Sequence, residues 1–283
     1  MEVGLYKDNK IGVIIQARMS STRMPGKIMQ SLPYAKGKSI LDQIISAVES
    51  IKKVNFICIA TSVNHENDII EESFNKKKIV VFRGDEENVL SRYAIITEKY
   101  HLDHVIRLTG DNPIIDGDIL SDLIDFHLEK NHDHSSTSLL PIGTNISMFS
   151  AKVLKEAYQN ATQDYEKEHV EPWILNNPNL SKGVLKFETY KKLKDVRLTI
   201  DYPSDYAFLN IIFNYFENIN QKPSIAGVYE LLEKLPWLKE INNNNYQKRA
   251  YNTNEEEIND AIRILENLEL HRTAQLLKNN TSN

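Results

Sequence analysis

Three cations, Arg18, Arg23 and Lys27, fall within ten residues of one another in the segment QARMSSTRMPGK. Ser20, Ser21 and Thr22 lie between them, and Pro25 and Gly26 bend the chain. Side-chain cations, hydroxyls and backbone N–H groups on one loop are the donors that can wrap a triphosphate. The spacing does not match GxxxxGK[ST], which leaves that type of phosphate loop with little support. The other reading of the segment is a solvated basic loop whose arginines pair with neighbouring carboxylates. Position favours the first, because three cations at the mouth of a strand repel one another unless an anion joins them.

Two carboxylates supply a second chemistry. The run RLTGDNPIID puts Asp111 just past a strand-like stretch, behind Gly110, and RLTIDYPSDY does the same with Asp201. Magnesium takes hard oxygen ligands, usually one or two protein carboxylates, with phosphate and water completing the shell. An aspartate after a strand also serves as a turn former or helix cap. Asp116 or Asp118 suits that task before one helix, and Asp205 before YAFLNIIFNYF.

The pattern A-R-x-x-S-T-R-x-P-G-K resembles the signature of the cytidylyltransferase family that includes CMP-sugar-acid synthetases, in particular the branch named for spore coat polysaccharide biosynthesis proteins. The resemblance covers about residues 11 to 240. It implies that Arg18, Arg23 and Lys27 bind the triphosphate, with Gln16, Ala17, Met19 and Ser20 in the same nucleotide loop. Arg18 and Lys27 would be catalytic, nearest the phosphates being rearranged, and Asp111 and Asp201 would be catalytic by sharing a Mg2+ ion. Thr61 and Ser62, at the end of the second strand, would meet the base and ribose together with Arg83, Gly84, Asp85, Asn88 and Arg92 of FRGDEENVLSRY. Thr109 and Gly110 would border the nucleotide beside Asp111. The residues themselves also permit Asp85 to cap a helix and Arg92 to form a helix-surface pair.

For the acceptor, EKEHVEPW is similar to the family's E-H-V motif, which brings Glu168, His169 and Trp173 into view, with Asn112 beside the metal aspartate. Lys186 and Arg197 are candidates for an acceptor carboxylate or phosphate. The implied reaction moves CMP from a nucleoside triphosphate, CTP favoured, to a nonulosonic-acid-like sugar acid or related small acidic acceptor, releasing pyrophosphate in bacterial surface polysaccharide or glycan biosynthesis. Alternatives are CTP- or GTP-dependent transfer to a phosphorylated small molecule, giving a CDP- or GDP-type product, and a glycosyltransferase using a nucleotide sugar. The latter usually carries an Asp-x-Asp metal motif, where this chain has GDNP. A non-catalytic nucleotide-binding protein is the reading from outside the enzymes.

These residues need a frame that gathers loops at one edge. Nearly continuous apolar runs at 11–17, 54–60, 78–82 and 104–108 alternate with helical patterns near 39–52, 66–75, 87–99 and 117–130. Buried strands separated by helices predict an α/β fold, a doubly wound, mostly parallel Rossmann-like sheet. In such sheets ligands collect beyond the carboxyl ends of the strands, which is where each candidate loop falls. From about 135 to 200 shorter extended pieces (SSTSLL, TNISMF, GVLKFETY, VRLTI) surround helical patterns near 151–159 and 166–176. This predicts a small mixed insertion, an acceptor lid or an arm that forms a homodimer. Helices are expected at 203–218 and 225–235, closing a nucleotidyltransferase domain of residues 1–240. Residues 241–283 read as a polar linker and one helix at 255–278, with Ile258, Ile262, Leu265, Leu268 and Leu276 on its apolar face.

Composition narrows the partners. Acidic residues outnumber basic ones, 39 to 34, so no overall positive field would hold nucleic acid. Cys58 is the one cysteine, which excludes an intramolecular disulfide and suits a reducing compartment. The N-terminal MEVGLYKDNK lacks a signal-peptide core, and no apolar run approaches the roughly 18 residues that span a bilayer. A cytoplasmic protein without membrane attachment is expected.

Overall fold

Alternation of side chains along each early strand builds two cores, one on each side of a central sheet. In the computed structural model, which describes residues 9–247 and 253–281, the strands are β1 (Ile11–Gln16), β2 (Phe56–Ser62), β3 (Val80–Gly84) and β4 (His104–Thr109). All four run parallel, in the order β3-β2-β1-β4. Val13, Ile15, Ile59 and Ile106 face one side, and Ile14, Cys58, Ala60 and Val105 the other. Such strands, buried on both faces, read as unbroken apolar runs.

Helices α1 (Ile40–Val48), α2 (Asp68–Asn75) and α4 (Gly117–Lys130) cover the first face, and α3 (Val89–Lys99) the second. Each begins near its expected position. Ser39 caps α1 in a reciprocal box with Asp42, and Asp116 caps α4.

The mixed region extends the same sheet. β5 (His134–Ser138), β6 (Ser147–Ser150) and β7 (Lys182–Lys186) complete the order β3-β2-β1-β4-β6-β5-β7, with β6 antiparallel to both β4 and β5. VRLTI, expected to be a strand, makes only an isolated bridge, Ile142 to Arg197, and leads into the site described below. After α5 (Ala151–Asn160), the helix expected at 166–176 is two, α6 (Asp164–His169) and α7 (Pro172–Asn176). The chain breaks at Val170, which is fully buried with φ of 68°, and Pro172 can only start a helix. α8 (Pro203–Asn218) and α9 (Ile225–Lys234) follow as expected.

Two compact units result, residues 1–245 and 246–283. The break falls later than the predicted linker start because Asn242 and Asn245 hydrogen-bond the Asp205 carboxylate. The second unit is a pair of helices, α10 (Asn254–Asn267) and α11 (His271–Thr281), in place of the single helix predicted. Glu269 takes a left-handed conformation and Leu270 N donates back to Leu265 O at 2.8 Å, which ends α10. Of the expected apolar face, Ile262 is buried, whereas Leu268 and Leu276 are more than half exposed. The N-terminal residues 1–8 and linker residues 248–252 lie outside the described residues. No described helix is long and apolar enough to cross a membrane.

Candidate active site

The loops after β1 and β4 are pressed together at the carboxyl edge of the sheet. Gly110 N donates to Gln16 O at 2.8 Å, and a Cβ on Gly110 would stand 3.0 Å from the Ala17 Cβ, so any larger residue there would push the two loops apart. Asp111 is thereby brought to the root of the basic loop. Ile200 N donates to Asp111 O at 2.9 Å, drawing the strand-like end of VRLTI alongside and with it Asp201.

Lys27 closes the arrangement. Its ammonium is almost enclosed, with 6% of the residue exposed, and lies 2.8 Å from Asp111 Oδ2, 3.2 Å from Asp201 Oδ1 and 2.5 Å from Ile200 O. Three acceptors use all three of its N–H donors. Arg23 Nη2 lies 2.8 Å from the same Asp201 Oδ1, while its Nη1 reaches the Tyr202 hydroxyl at 3.2 Å. Four of the five side chains expected at the reaction centre, Arg23, Lys27, Asp111 and Asp201, thus share one cluster. Arg18 points elsewhere, 3.7 Å from Glu86.

Behind this cluster is a buried support. Arg197 is 2% exposed and binds Asp201 Oδ2 at 3.2 Å and both oxygens of Asp205 at 3.1 Å. Enclosed and committed to carboxylates, it positions Asp201 instead of reaching an acceptor as expected. Asp205 takes the cap role, receiving Asp201 N and Tyr202 N at 3.0 Å each. Burial alone would raise its carboxyl, but hydrogen bonds from Arg197, Asn245 and the Asp201 backbone, with the Arg197 charge, hold it below the ordinary carboxylate range.

The remaining expected residues divide by environment. Arg83 braces the loops after β2, bound to Glu71 at 3.0 Å and to the carbonyls of Val63 and Asn64. Asn88 caps α3 through Ser91 N, and Asp85 accepts from Asn88 N, so both carry local structure. Ser62 is tied to Asn67, and Met19 N donates to Asn67 Oδ1. Thr61 Oγ1 is buried without a hydrogen-bond partner among the described residues. Arg92 is no helix-surface residue, being 4% exposed. Glu168 and His169 are exposed on α6, Trp173 packs on the second core, and Lys186 is exposed on β7, the strand at the far edge of the sheet from β3.

A cavity of about 380 Å³ opens beside the cluster, bordered by Thr109 and Asn112. Ser136, Asn145, Ser147, Arg107 and Glu171 line it further, and none of these was singled out from sequence. Arg107 Nη1 binds Glu171 Oε1 at 2.8 Å, and its Nε reaches Gln16 Oε1 at 3.1 Å. Burial would raise the Glu171 carboxyl, but His134, the Arg107 charge and the Ser147 hydroxyl outweigh it and bring it down to about 2. A charged residue inside the apolar run HVIRL was the available signal for Arg107. Glu171 stood within the motif that drew attention to Glu168 and His169.

A family model described as cytidylyltransferase matches residues 12–258. The chain is 34% identical over 240 residues to the uncharacterized protein MJ1063 of Methanocaldococcus jannaschii, covering 84% of this chain and 97% of that one. It is 32% identical over 225 residues to the spore coat polysaccharide biosynthesis protein SpsF of Bacillus subtilis, covering 77% and 91%. A solved cytidylyltransferase structure from Leptospira borgpetersenii superposes with a TM-score of 0.75 at 27% identity, over 86% of this chain and all of that one.

Proposed function

The chain belongs to the cytidylyltransferase family, and on that premise we propose that it moves CMP from CTP to a sugar acid or related small acidic acceptor, in bacterial surface polysaccharide or glycan biosynthesis. The observation that carries this reading is the Lys27 ammonium gathering Asp111 and Asp201 at the strand ends, beside Arg23 and next to a polar cavity.

The donor set suits magnesium. Two carboxylates face one ammonium, and Asp111 Oδ1 makes no hydrogen bond among the described residues, so hard oxygen is available. Asp111 and Asp201 would hold the ion, which when bound supplies positive charge at the α-phosphate. Lys27 holds the two carboxylates side by side. Arg23 and Arg18 would hold the triphosphate tail along the Gln16–Lys27 loop, with Arg197 fixing the Asp201 carboxylate. The acceptor oxygen, seated between Asn112 and the cavity, attacks the α-phosphorus in line. A new P–O bond forms as the bond to the β-phosphate breaks, pyrophosphate leaves with the electron pair, and the acceptor hydroxyl's proton passes to solvent water. Alignment and charge stabilisation account for the acceleration, with no covalent enzyme intermediate.

The cavity offers neutral partners to a sugar's hydroxyls, which a sugar acid and a sugar phosphate share. Arg107 is its one cation among the described lining residues and is already paired with Glu171, while Thr109, Asn112, Ser136 and Asn145 offer neutral donors and acceptors. Pyrophosphate release should be measured with each common nucleoside triphosphate against a panel of sugar acids and sugar phosphates, with and without magnesium. Release with CTP and a sugar acid, abolished by removing the metal, is expected. Release only with GTP, or only with sugar phosphates, would overturn the assignment.

A further inference from the structure

The asparagine run at 242–245 reads as linker in the sequence, yet two of its members reach the support beneath Asp201. Asn242 is 2% exposed, and its amide donates to Asp205 Oδ1 at 2.9 Å and to Arg197 O at 3.1 Å. Asn245, half-buried, donates to the same Oδ1 at 2.8 Å, and the Ser204 hydroxyl meets its Nδ2 at 2.8 Å and its Oδ1 at 3.0 Å. A carboxylate only accepts, so both amide nitrogens must face it. Asn243 and Asn244, between them, are exposed, and Asn243 turns instead to Glu240.

The surrounding charges explain what the two amides do. One guanidinium, Arg197, is shared between two carboxylates. Its Nε and Nη2 hold Asp205 at 3.1 Å, and Nη2 also holds Asp201 Oδ2 at 3.2 Å. Asp205 is 0% exposed, so its charge has to be met by donors inside the protein. Its Oδ2 receives the Asp201 and Tyr202 backbone N–H groups beside Nη2, and its Oδ1 receives Arg197 Nε and the two asparagines. Neutral amides satisfy Oδ1 without adding charge and leave the guanidinium divided. Without them the buried oxygen is short of donors, and the group at hand to answer it is Arg197, whose turn toward Oδ1 withdraws Nη2 from Asp201. Asp201 then loses the contact that fixes its Oδ2, while Arg23 and Lys27 keep their hold on its Oδ1.

We propose that Asn242 and Asn245 are positioning residues for the divalent ion, a neutral clasp on Asp205 that sets how Arg197 is divided and so holds Asp201 ready to ligate. The inference rests on the reading of Asp111 and Asp201 as the metal carboxylates. Groups that orient a ligand from behind govern metal affinity almost as strongly as the ligands do. The working site therefore runs through Asn245, the last residue before the second unit begins at Tyr246.

Manganese, as the probe ion, should be titrated into the full chain with a non-hydrolysable CTP analogue present, binding being read from its electron paramagnetic resonance signal. The magnesium dependence of pyrophosphate release should be followed in parallel. Asn245→Ala should weaken manganese binding by roughly tenfold and raise the half-saturating magnesium concentration to match, with kcat at saturating magnesium kept within about twofold. Asn245→Asp keeps the shape but sets a second carboxylate against Asp205, and should weaken the ion further. Asn244→Ala should behave as wild type. Asn242→Ala should follow Asn245→Ala, and if the buried variant does not fold, the two Asn245 variants decide. Wild-type manganese affinity in both, whatever their thermal melts, overturns the clasp, and so does a fall in kcat with ion affinity unchanged. When Asp111→Asn abolishes manganese binding in the same assay, such a result strikes the clasp alone and leaves the metal reading standing. A wild-type chain that binds no manganese overturns the cytidylyl reading and the clasp with it.

Discussion

Asp111 and Asp201 come from segments ninety residues apart, yet a single ammonium touches both. Removing that ammonium leaves the half-buried Asp111 carboxylate without its counter-charge, while Asp201 keeps Arg23 and Arg197. Lys27→Met should therefore lower stability by about 1 kcal/mol, seen as an earlier urea midpoint, and turnover by ~100-fold or more. Asp205→Asn acts differently. It breaks the support under Asp201, so its loss should appear first in the melt, with magnesium dependence retained in whatever activity remains. The two metal candidates were named through the family resemblance, since strand periodicity marks only that each aspartate follows a strand-like run, a position that helix caps and turn formers also take. Arg107 and Glu171 were not, since their contact joins β4 to the residue before α7 across 64 positions and only the folded sheet places them together. Arg197 misled for the same reason: cation chemistry can be read from a sequence, enclosure cannot.

At the scale of elements, α4 is fastened to the sheet through a histidine. His127 Nε2 lies 3.1 Å from His104 Nδ1 on β4, and its Nδ1 lies 2.9 Å from the Ser135 hydroxyl on β5. Burial, followed by the neighbouring histidine charges, pushes His127 down to about 3 from its ordinary 6.5. The folded state thus favours the neutral ring, and the unfolded chain takes up the proton first as pH falls. The stability this contributes is complete above pH 6.5 and declines as pH drops toward 3. Urea unfolding should show a loss of about 2 kcal/mol between pH 7 and pH 5, and His127→Gln should flatten that limb. An unchanged slope in the variant would refute the assignment. Strands buried on both faces and helices with caps were readable because their patterns are local. The break at Val170 and the end of α10 were not, because both depend on left-handed residues that are neither glycine nor asparagine.

For the whole molecule, the sheet ends at β7, whose outer edge has no strand partner among the described residues. Val184 on that strand and Leu175 on α7 are each about half exposed, and Lys182 Nζ bonds the Leu175 carbonyl, so the two lie in one neighbourhood. An open edge flanked by apolar side chains suits pairing with a second copy. The predicted homodimer should sediment at twice the chain mass, and Val184→Lys should shift it to monomer while the melt of the fold changes little. A wild-type protein that sediments as a monomer at micromolar concentration would remove that arm's assigned role.

The central claim is that Asp111 and Asp201 act as one unit through a shared divalent ion. Its most direct measurement is kcat/KM for CTP-dependent pyrophosphate release in Asp111→Asn, Asp201→Asn and the double variant, at saturating magnesium. Each single variant should fall by ~100-fold or more, and the double variant should fall no further, because either change already removes the common ion. Losses that multiply in the double variant, or wild-type turnover in either single one, would contradict the account.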